Sequence, residues 1–227
     1  MPNEPEEPVA MAQRSLGNHV WYQVCRRTIA LACLIAYRLR FTGLKNIPQT
    51  GGVLIISNHQ SHLDPPLVGV ASRRRMNFVA RKTLFAHKTM GRIIHSLGAI
   101  PIDRDGFGIG GIKETLRRLK AGEMVLIFPE GTRSHDGEIA AFRPGFTALA
   151  IRSKCSILPV AIDGAYDVWP RERRFPRLGG TIYVHFGEPI TPEEIAAIGE
   201  DGLAAEIERR VRQCQAMLRA NKRGGAA

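Results

Sequence analysis

Aromatic residues make up only 7% of the chain, and no basic stretch is interleaved with them. This composition lacks the stacking platforms on which single-stranded nucleic-acid binders lay bases. Cysteines are few and scattered: Cys25, Cys33, Cys155 and Cys214, with no C-x-x-C pair. They read as reduced, small apolar residues in a cytosolic chain, not as a zinc or redox site. Long apolar runs are missing too. In the first apolar segment the longest stretch without a charge is Thr28 to Tyr37, well short of the roughly 20 residues that span a bilayer. The N-terminus carries Glu4, Glu6 and Glu7 among prolines. It lacks the basic start of a secretory signal, and residues 1–15 read as a disordered lead-in. No internal repeat is visible.

What is present describes a folded, basic domain. The 227 residues are 44% hydrophobic and 23% charged, near the globular average, and long enough to bury a core without disulfides or metal. Acids are outnumbered, 21 to 32, for a formal net charge of +11. Such a balance favours polyanionic partners, and without the aromatic platforms it points to lipid phosphate more than to nucleic acid.

The apolar pattern fixes the class. From Leu16 to Phe41, Val20, Trp21, Val24, Leu31, Ile35 and Leu39 share one helical arc. The expectation is an N-terminal apolar, amphipathic helix over 16–44, either lying in a headgroup region or packed on the domain. Beyond the linker Lys45 to Gly52, strand-like runs alternate with helical stretches. The strands are expected at Val53–Ser57, Met76–Ala80, Ala99–Ile102, Val125–Phe128, Ile157–Ile162 and Thr181–Phe186. Helices are expected at Pro65–Ser72, Ile109–Leu119 and Pro144–Ser153, with a last one starting at a Thr191/Glu194 capping box. This is an α/β domain over 45–221: a mixed, largely parallel central sheet with helices on both faces, and a frayed tail at 222–227.

Loops beyond strand ends are where open α/β sheets bind ligands, and two such loops carry chemistry. Ser57-Asn-His-Gln-Ser-His-Leu-Asp64 places two histidines and a carboxylate after the first strand of the domain. Imidazole can take up a proton near neutral pH, and a carboxylate on its other nitrogen would fix its tautomer. Asp64 as a mere helix cap with His59 as a turn histidine fits the same residues. A zinc site from His59, His62 and Asp64 lacks metallo-hydrolase spacing and any downstream histidine cluster. Ser61 is not in a G-x-S-x-G elbow. In the second loop, Pro129-Glu-Gly-Thr-Arg-Ser134, Gly131 allows close backbone approach. Arg133 offers a planar fork for phosphate, and Glu130 could accept from a hydroxyl. At Gly98 to Arg104, Arg104 leaves a strand end beside Asp103. Solvated turns with surface charge pairs would account for the last two stretches taken singly.

Taken in order, these stretches resemble the glycerolipid acyltransferases, and the bacterial lysophosphatidic acid acyltransferases in particular. The H-x-x-x-x-D block is His59 to Asp64, the second Gly98 to Arg104, the third Phe128 to Arg133 and the fourth Ile157-Leu-Pro-Val160. The likeness runs from about Arg40 to Pro189. It implies that His59, oriented by Asp64, is the general base on the free hydroxyl of a lysophospholipid. That hydroxyl would attack the thioester of acyl-CoA or of an acyl carrier protein, without a covalent acyl-enzyme and without metal or cofactor. Arg104 and Arg133 would hold the glycerol phosphate, with Glu130, Gly131 and Thr132 as the acceptor wall. One departure stands out: Arg81-Lys82-Thr83 replaces a lysine followed by x-Glu-Leu, so Arg81 or Lys82 would serve the phosphate or the oxyanion.

An acceptor that lives in a bilayer calls for an enzyme on the anionic cytoplasmic face of the membrane, peripheral or monotopic. Arg73-Arg74-Arg75 and Arg171, Arg173, Arg174 and Arg177 are the basic candidates, alongside the N-terminal helix. The expected reaction makes phosphatidic acid from 1-acyl-glycerol-3-phosphate. Its rivals are acylation of another lyso-lipid, such as a lyso-ornithine lipid, and a basic membrane-binding module without catalysis.

Overall fold

Five successive aliphatic and small residues cannot present a water-facing side, and Val53–Ser57 is buried at every position. It is the centre of a seven-stranded sheet. The computed structural model describes residues 16–72, 74–103 and 108–224. The order is α1 (Leu16–Ala36), β1 (Arg38–Thr42), β2 (Val53–Ser57), α2 (Asp64–Ala71), β3 (Met76–Arg81), α3 (Lys82–Phe85), α4 (Lys88–Ser96) and β4 (Ala99–Ile102). Then come α5 (Gly108–Lys120), β5 (Met124–Ile127), α6 (Thr147–Ser153), β6 (Ser156–Asp163), α7 (Ala165–Val168), β7 (Thr181–Phe186) and α8 (Pro192–Gly224), the last kinked at Gly199, whose backbone is non-helical.

Across the sheet the strands run β1-β7-β6-β2-β5-β3-β4. Only the β6–β7 pairing is antiparallel. Five strands therefore end at the same edge. On one face Val53, Ile55, Met124 and Leu126 meet Cys33 and Tyr37 at the end of α1 and Leu67 and Val68 of α2. On the other face Leu54, Ile56, Val125 and Ile127 meet Leu119, Leu149, Leu203, Ile207 and Val211 from α5, α6 and α8. Each such buried side chain contributes about 1.5–3 kcal/mol relative to exposure, and the two layers together hold the sheet edge rigid.

Several expectations need correction. The N-terminal helix does not reach residue 44: it ends at Ala36, and Arg38–Thr42 pairs in parallel with β7. Leu39 and Phe41 pack on the core while Arg38, Arg40 and Thr42 face out, the period-2 pattern of an edge strand. Lys82–Phe85 and Lys88–Ser96 are helical where no helix was expected. At the C-terminus α8 continues through Lys222 to Gly224, past the start of the expected tail. The capping box forms as expected, Thr191 N donating to Glu194 Oε2 at 2.8 Å and Glu194 N to Thr191 Oγ1 at 3.3 Å. The lead-in at 1–15 lies outside the described residues.

Two arginines of the Arg73–Arg75 run make contacts within the domain. Arg74 donates to the carbonyls of Pro48, Thr50, Gly51 and Gly122, tying together loops on the domain. Arg75 donates to Ser96 O at 2.9 Å and sits 4.5 Å over the Tyr22 ring, fastening α1 to the end of α4. Arg73 lies outside the described residues.

Candidate active site

At the carboxyl end of β2 the chain leaves the ladder but stays anchored to it. Asn58 Nδ2 donates to Ile162 O at 2.9 Å, and Ile162 N donates to Asn58 Oδ1 at 2.8 Å. A buried side-chain amide thus extends the β2–β6 pairing by one step and fixes where His59 begins. His59 N then donates to Glu130 Oε1 at 2.7 Å, and His59 O accepts from Ser134 N at 2.7 Å. The two loops after β2 and β5 are locked to each other through the histidine's own backbone.

Asp64 sits in the first turn of α2, fully buried. The N-cap position of that helix is Leu63 and Asp64 is its first residue, which overturns the reading of Asp64 as the helix cap. Its Oδ2 turns back to the loop and accepts from Gln60 N at 2.6 Å, Ser61 N at 2.7 Å and His59 Nδ1 at 2.7 Å. Its Oδ1 is buried without a partner among the described residues. A carboxylate acceptor requires the proton on Nδ1, and in the neutral ring that tautomer leaves the lone pair on Nε2. The ring stacks on Phe128, centroids 3.9 Å apart and planes 14° apart, and its side chain stays 19% exposed. The ring is thus held at Nδ1 by a buried carboxylate while part of it stays accessible.

Glu130, expected to line an acceptor wall, borders a cavity with Thr132 and Arg133 and also braces the two loops. It is 4% exposed, and its second oxygen accepts from Ala140 N at 3.0 Å. Burial pushes its pKa up from 4.5 to about 7, against the two backbone N–H bonds that pull it down. Gly131 adopts φ +70°, and a Cβ there would come within 3.0 Å of the Arg143 side chain, so glycine is required for the turn.

The arginines gather beside this turn. Arg81 Nη2 donates to Gly131 O at 2.9 Å. Burial, then the nearby Arg171, holds the Arg133 guanidinium below its usual pKa, Asp64 and Glu172 oppose this, and Arg81 adds to it. Arg133 Nη1 is buried and donates to no described residue. Thr132 Oγ1 accepts from Arg171 Nη1 at 3.2 Å. His62, 5.2 Å from the Trp169 ring, has its pKa pushed down to about 4 by burial, then by Arg133 and His59, with Asp64 opposing. Lys82 stands apart in an exposed pair with Asp103 at 2.7 Å. Arg104 lies outside the described residues. Among the described residues no three His, Cys, Asp or Glu side chains gather as metal ligands would.

The structure therefore brings together His59, Asp64, Glu130, Gly131, Thr132, Arg133 and Arg81. Sequence reasoning did not give Asn58, Phe128 or Arg171 a place in the site. A lone amide closing a strand and an aromatic opening the P-E-G-T-R stretch were the available signals for the first two.

A family model described as Acyltransferase matches residues 38–163. A 1-acyl-sn-glycerol-3-phosphate acyltransferase of Bacillus subtilis (strain 168) is 27% identical over 189 residues, 82% of this chain and 92% of that protein. The human 1-acyl-sn-glycerol-3-phosphate acyltransferase alpha is 29% identical over 178 residues, 74% of this chain and 62% of its own length. Among solved structures, the 1-acyl-sn-glycerophosphate (LPA) acyltransferase PlsC from Thermotoga maritima superposes with a TM-score of 0.78. That match covers 92% of this chain and 84% of that one at 24% identity, a likeness of fold.

Proposed function

The chain belongs to the acyltransferase family, and from that premise we propose that it transfers a fatty acyl group to 1-acyl-glycerol-3-phosphate, giving phosphatidic acid. The donor is acyl-CoA or acyl carrier protein, and the acceptor is the lipid's free hydroxyl. The observation that carries the reading is the 2.7 Å bond from His59 Nδ1 to the buried Asp64, which leaves Nε2 as the basic nitrogen. In the proposed step Nε2 takes the hydroxyl proton while the oxygen attacks the thioester carbonyl. The C–O ester bond forms, the C–S bond breaks, and the proton passes to the departing thiolate. General-base catalysis of this kind contributes roughly 10²–10⁴-fold. The remainder comes from positioning and from cations near the oxyanion and phosphate. Arg133 and Arg81 are the described groups suited to that work, with Arg104 as an expected third. Gly131 and Thr132 border it. The exposed pairing of Lys82 with Asp103 supports a lesser role for Lys82. As written, the reaction uses no metal or cofactor.

The same reading sets the enzyme on the anionic cytoplasmic face of a membrane, as a peripheral or monotopic protein. Among the described residues no helix is long and apolar enough to cross a bilayer. Along α1, however, Leu16, Val20, Val24, Leu31, Leu34 and Ile35 are exposed on one face, the pattern of a helix lying in the headgroup region. Phe175 and Leu178 are exposed among Arg173, Arg174 and Arg177, and basic residues near such a surface contribute about 1 kcal/mol each.

The test is acyl transfer by purified protein offered lysophosphatidate with acyl-CoA and, separately, with acyl carrier protein. Phosphatidate with at least one donor is the expected result. Acylation of a lyso-ornithine lipid or a head-group lysophospholipid in its place would reject the acceptor named here. Exchanging Leu31, Leu34 and Ile35 for glutamine should release the protein from anionic liposomes; unchanged flotation would remove α1 from the membrane account.

A further inference from the structure

The segment between α7 and β7 carries four arginines, and they do not do the same thing. Its tip exposes Phe175 and Leu178, at 67% and 85%. Its base is ordered by Trp169 Nε1 donating to Arg173 O at 2.9 Å, Arg177 N to Val168 O at 2.9 Å and Gly179 N to Ala36 O at 2.9 Å. From that base Arg171 reaches across to the loop after β5. Its Nη1 lies 3.2 Å from Thr132 Oγ1 and 2.8 Å from His135 Nε2. Thr132, Arg133 and His135 line a cavity of about 210 Å³, so Arg171 stands at its rim.

This placement brings like charges together. Arg133, next in sequence to Thr132, has Nη1 buried with no acceptor, and Arg81 is fixed to the neighbouring Gly131 O. Converging guanidiniums repel, and a buried donor without a partner costs free energy. An anion with several acceptor oxygens reverses both effects at once. The acids that share the cavity wall are already engaged: Asp136 Oδ1 accepts from Ser134 Oγ and Glu138 N, and Glu138 pairs with Arg219.

We propose that Arg171 grips the phosphate of the acceptor lipid together with Arg133 and Arg81, which makes residues 169–180 part of substrate recognition. This rests on the acyltransferase reading above. A phosphomonoester carries close to two negative charges near neutral pH, which suits three guanidiniums better than the single charge of a phosphodiester head group. The loop then joins two tasks, its tip on the lipid surface and its base on the lipid's phosphate.

The test uses the full chain with Arg171→Ala, Arg171→Lys and a charge control on the far helix α6, Arg152→Ala. Two readouts are taken: the KM for lysophosphatidate beside that for the acyl donor, and the Kd of glycerol 3-phosphate by titration calorimetry. Losing a charge-assisted contact predicts a roughly 10-fold or larger rise in the lysophosphatidate KM and in the Kd for Arg171→Ala. The donor KM and kcat should stay near wild type. Arg171→Lys should recover part of the loss, keeping the charge but not the fork. If Arg171→Ala behaves as Arg152→Ala in both readouts, the proposal is overturned while the acyltransferase reading stands. If Arg171→Ala weakens glycerol 3-phosphate binding but the wild type makes no phosphatidate, the phosphate role stands and the acceptor assignment falls.

Discussion

Two groups of polar side chains meet at the carboxyl edge of the sheet, and they are built in opposite ways. Around His59 nearly every donor finds an acceptor within the protein. Asp64 Oδ2 takes three, Glu130 takes the backbone N–H groups of His59 and Ala140, and Asn58 is closed on both sides. Around Arg133 the donors outnumber the acceptors, and one buried Nη1 has none. A group that must hold one tautomer in one orientation is best fixed in advance. A group that recognises an anion must keep donors for it. On the proposed function the closed group serves the chemistry and the open one the binding, and substitutions on the two sides should divide between kcat and KM.

The largest effect belongs to the closed side. Asp64→Asn removes the charge that fixes the His59 tautomer, and kcat should fall by roughly 10²–10⁴-fold, no further than on loss of the base itself, with both KM values near wild type. A raised KM with kcat retained would invert the comparison. On the open side Arg133→Ala should raise the KM for lysophosphatidate roughly 10- to 100-fold. Steady-state kinetics with each substrate varied in turn would show whether kcat stays nearly level, as the account requires. Glu130→Gln turns an amide N–H₂ toward one of two backbone N–H groups, leaving that donor buried and unpaired. Chemical denaturation should report about 1–3 kcal/mol less stability; a variant as stable as wild type would deny Glu130 its bracing role.

The last effect is a pH dependence. His62 has a folded-state pKa of about 4 against an ordinary 6.5, so the unfolded chain binds the proton first. Its contribution to stability is complete above pH 6.5 and is lost as the pH falls toward 4. Glu130, raised from 4.5 to about 7, acts in the other sense: its contribution is complete below about pH 4.5 and is lost as the pH rises through 7. The informative quantity is therefore the Tm difference between wild type and His62→Gln. That difference should shift against the wild type below pH 6.5, and a flat difference would remove His62 from the account.

The legible parts of the fold were those where pattern and punctuation agree. Val53–Ser57, Ala99–Ile102 and Thr181–Phe186 are strands with the expected ends, because each apolar or alternating run is bounded by glycine, proline or polar turns. β1 was hidden because Leu39 and Phe41 continue the apolar arc of α1, and only pairing with β7 makes them a strand. Helices α3 and α4 were hidden because α3 is only four residues long and Gly91 interrupts the nine residues of α4. In the site, the five-residue step from His59 to Asp64 was readable, since one loop brings the two together. Arg171 was not: an arginine-rich run has no periodicity to tell an inward residue from outward ones. The same blindness made Arg74 and Arg75 look like surface charge when carbonyls and the Tyr22 ring hold them.

The most direct measurement compares wild type with His59→Ala in acyl transfer to lysophosphatidate, with glycerol 3-phosphate binding measured on the same samples. The account predicts a kcat lower by roughly 10²–10⁴-fold, with KM values and phosphate affinity retained. A His59→Ala enzyme that turns over at the wild-type rate would contradict the assignment of His59 as the base.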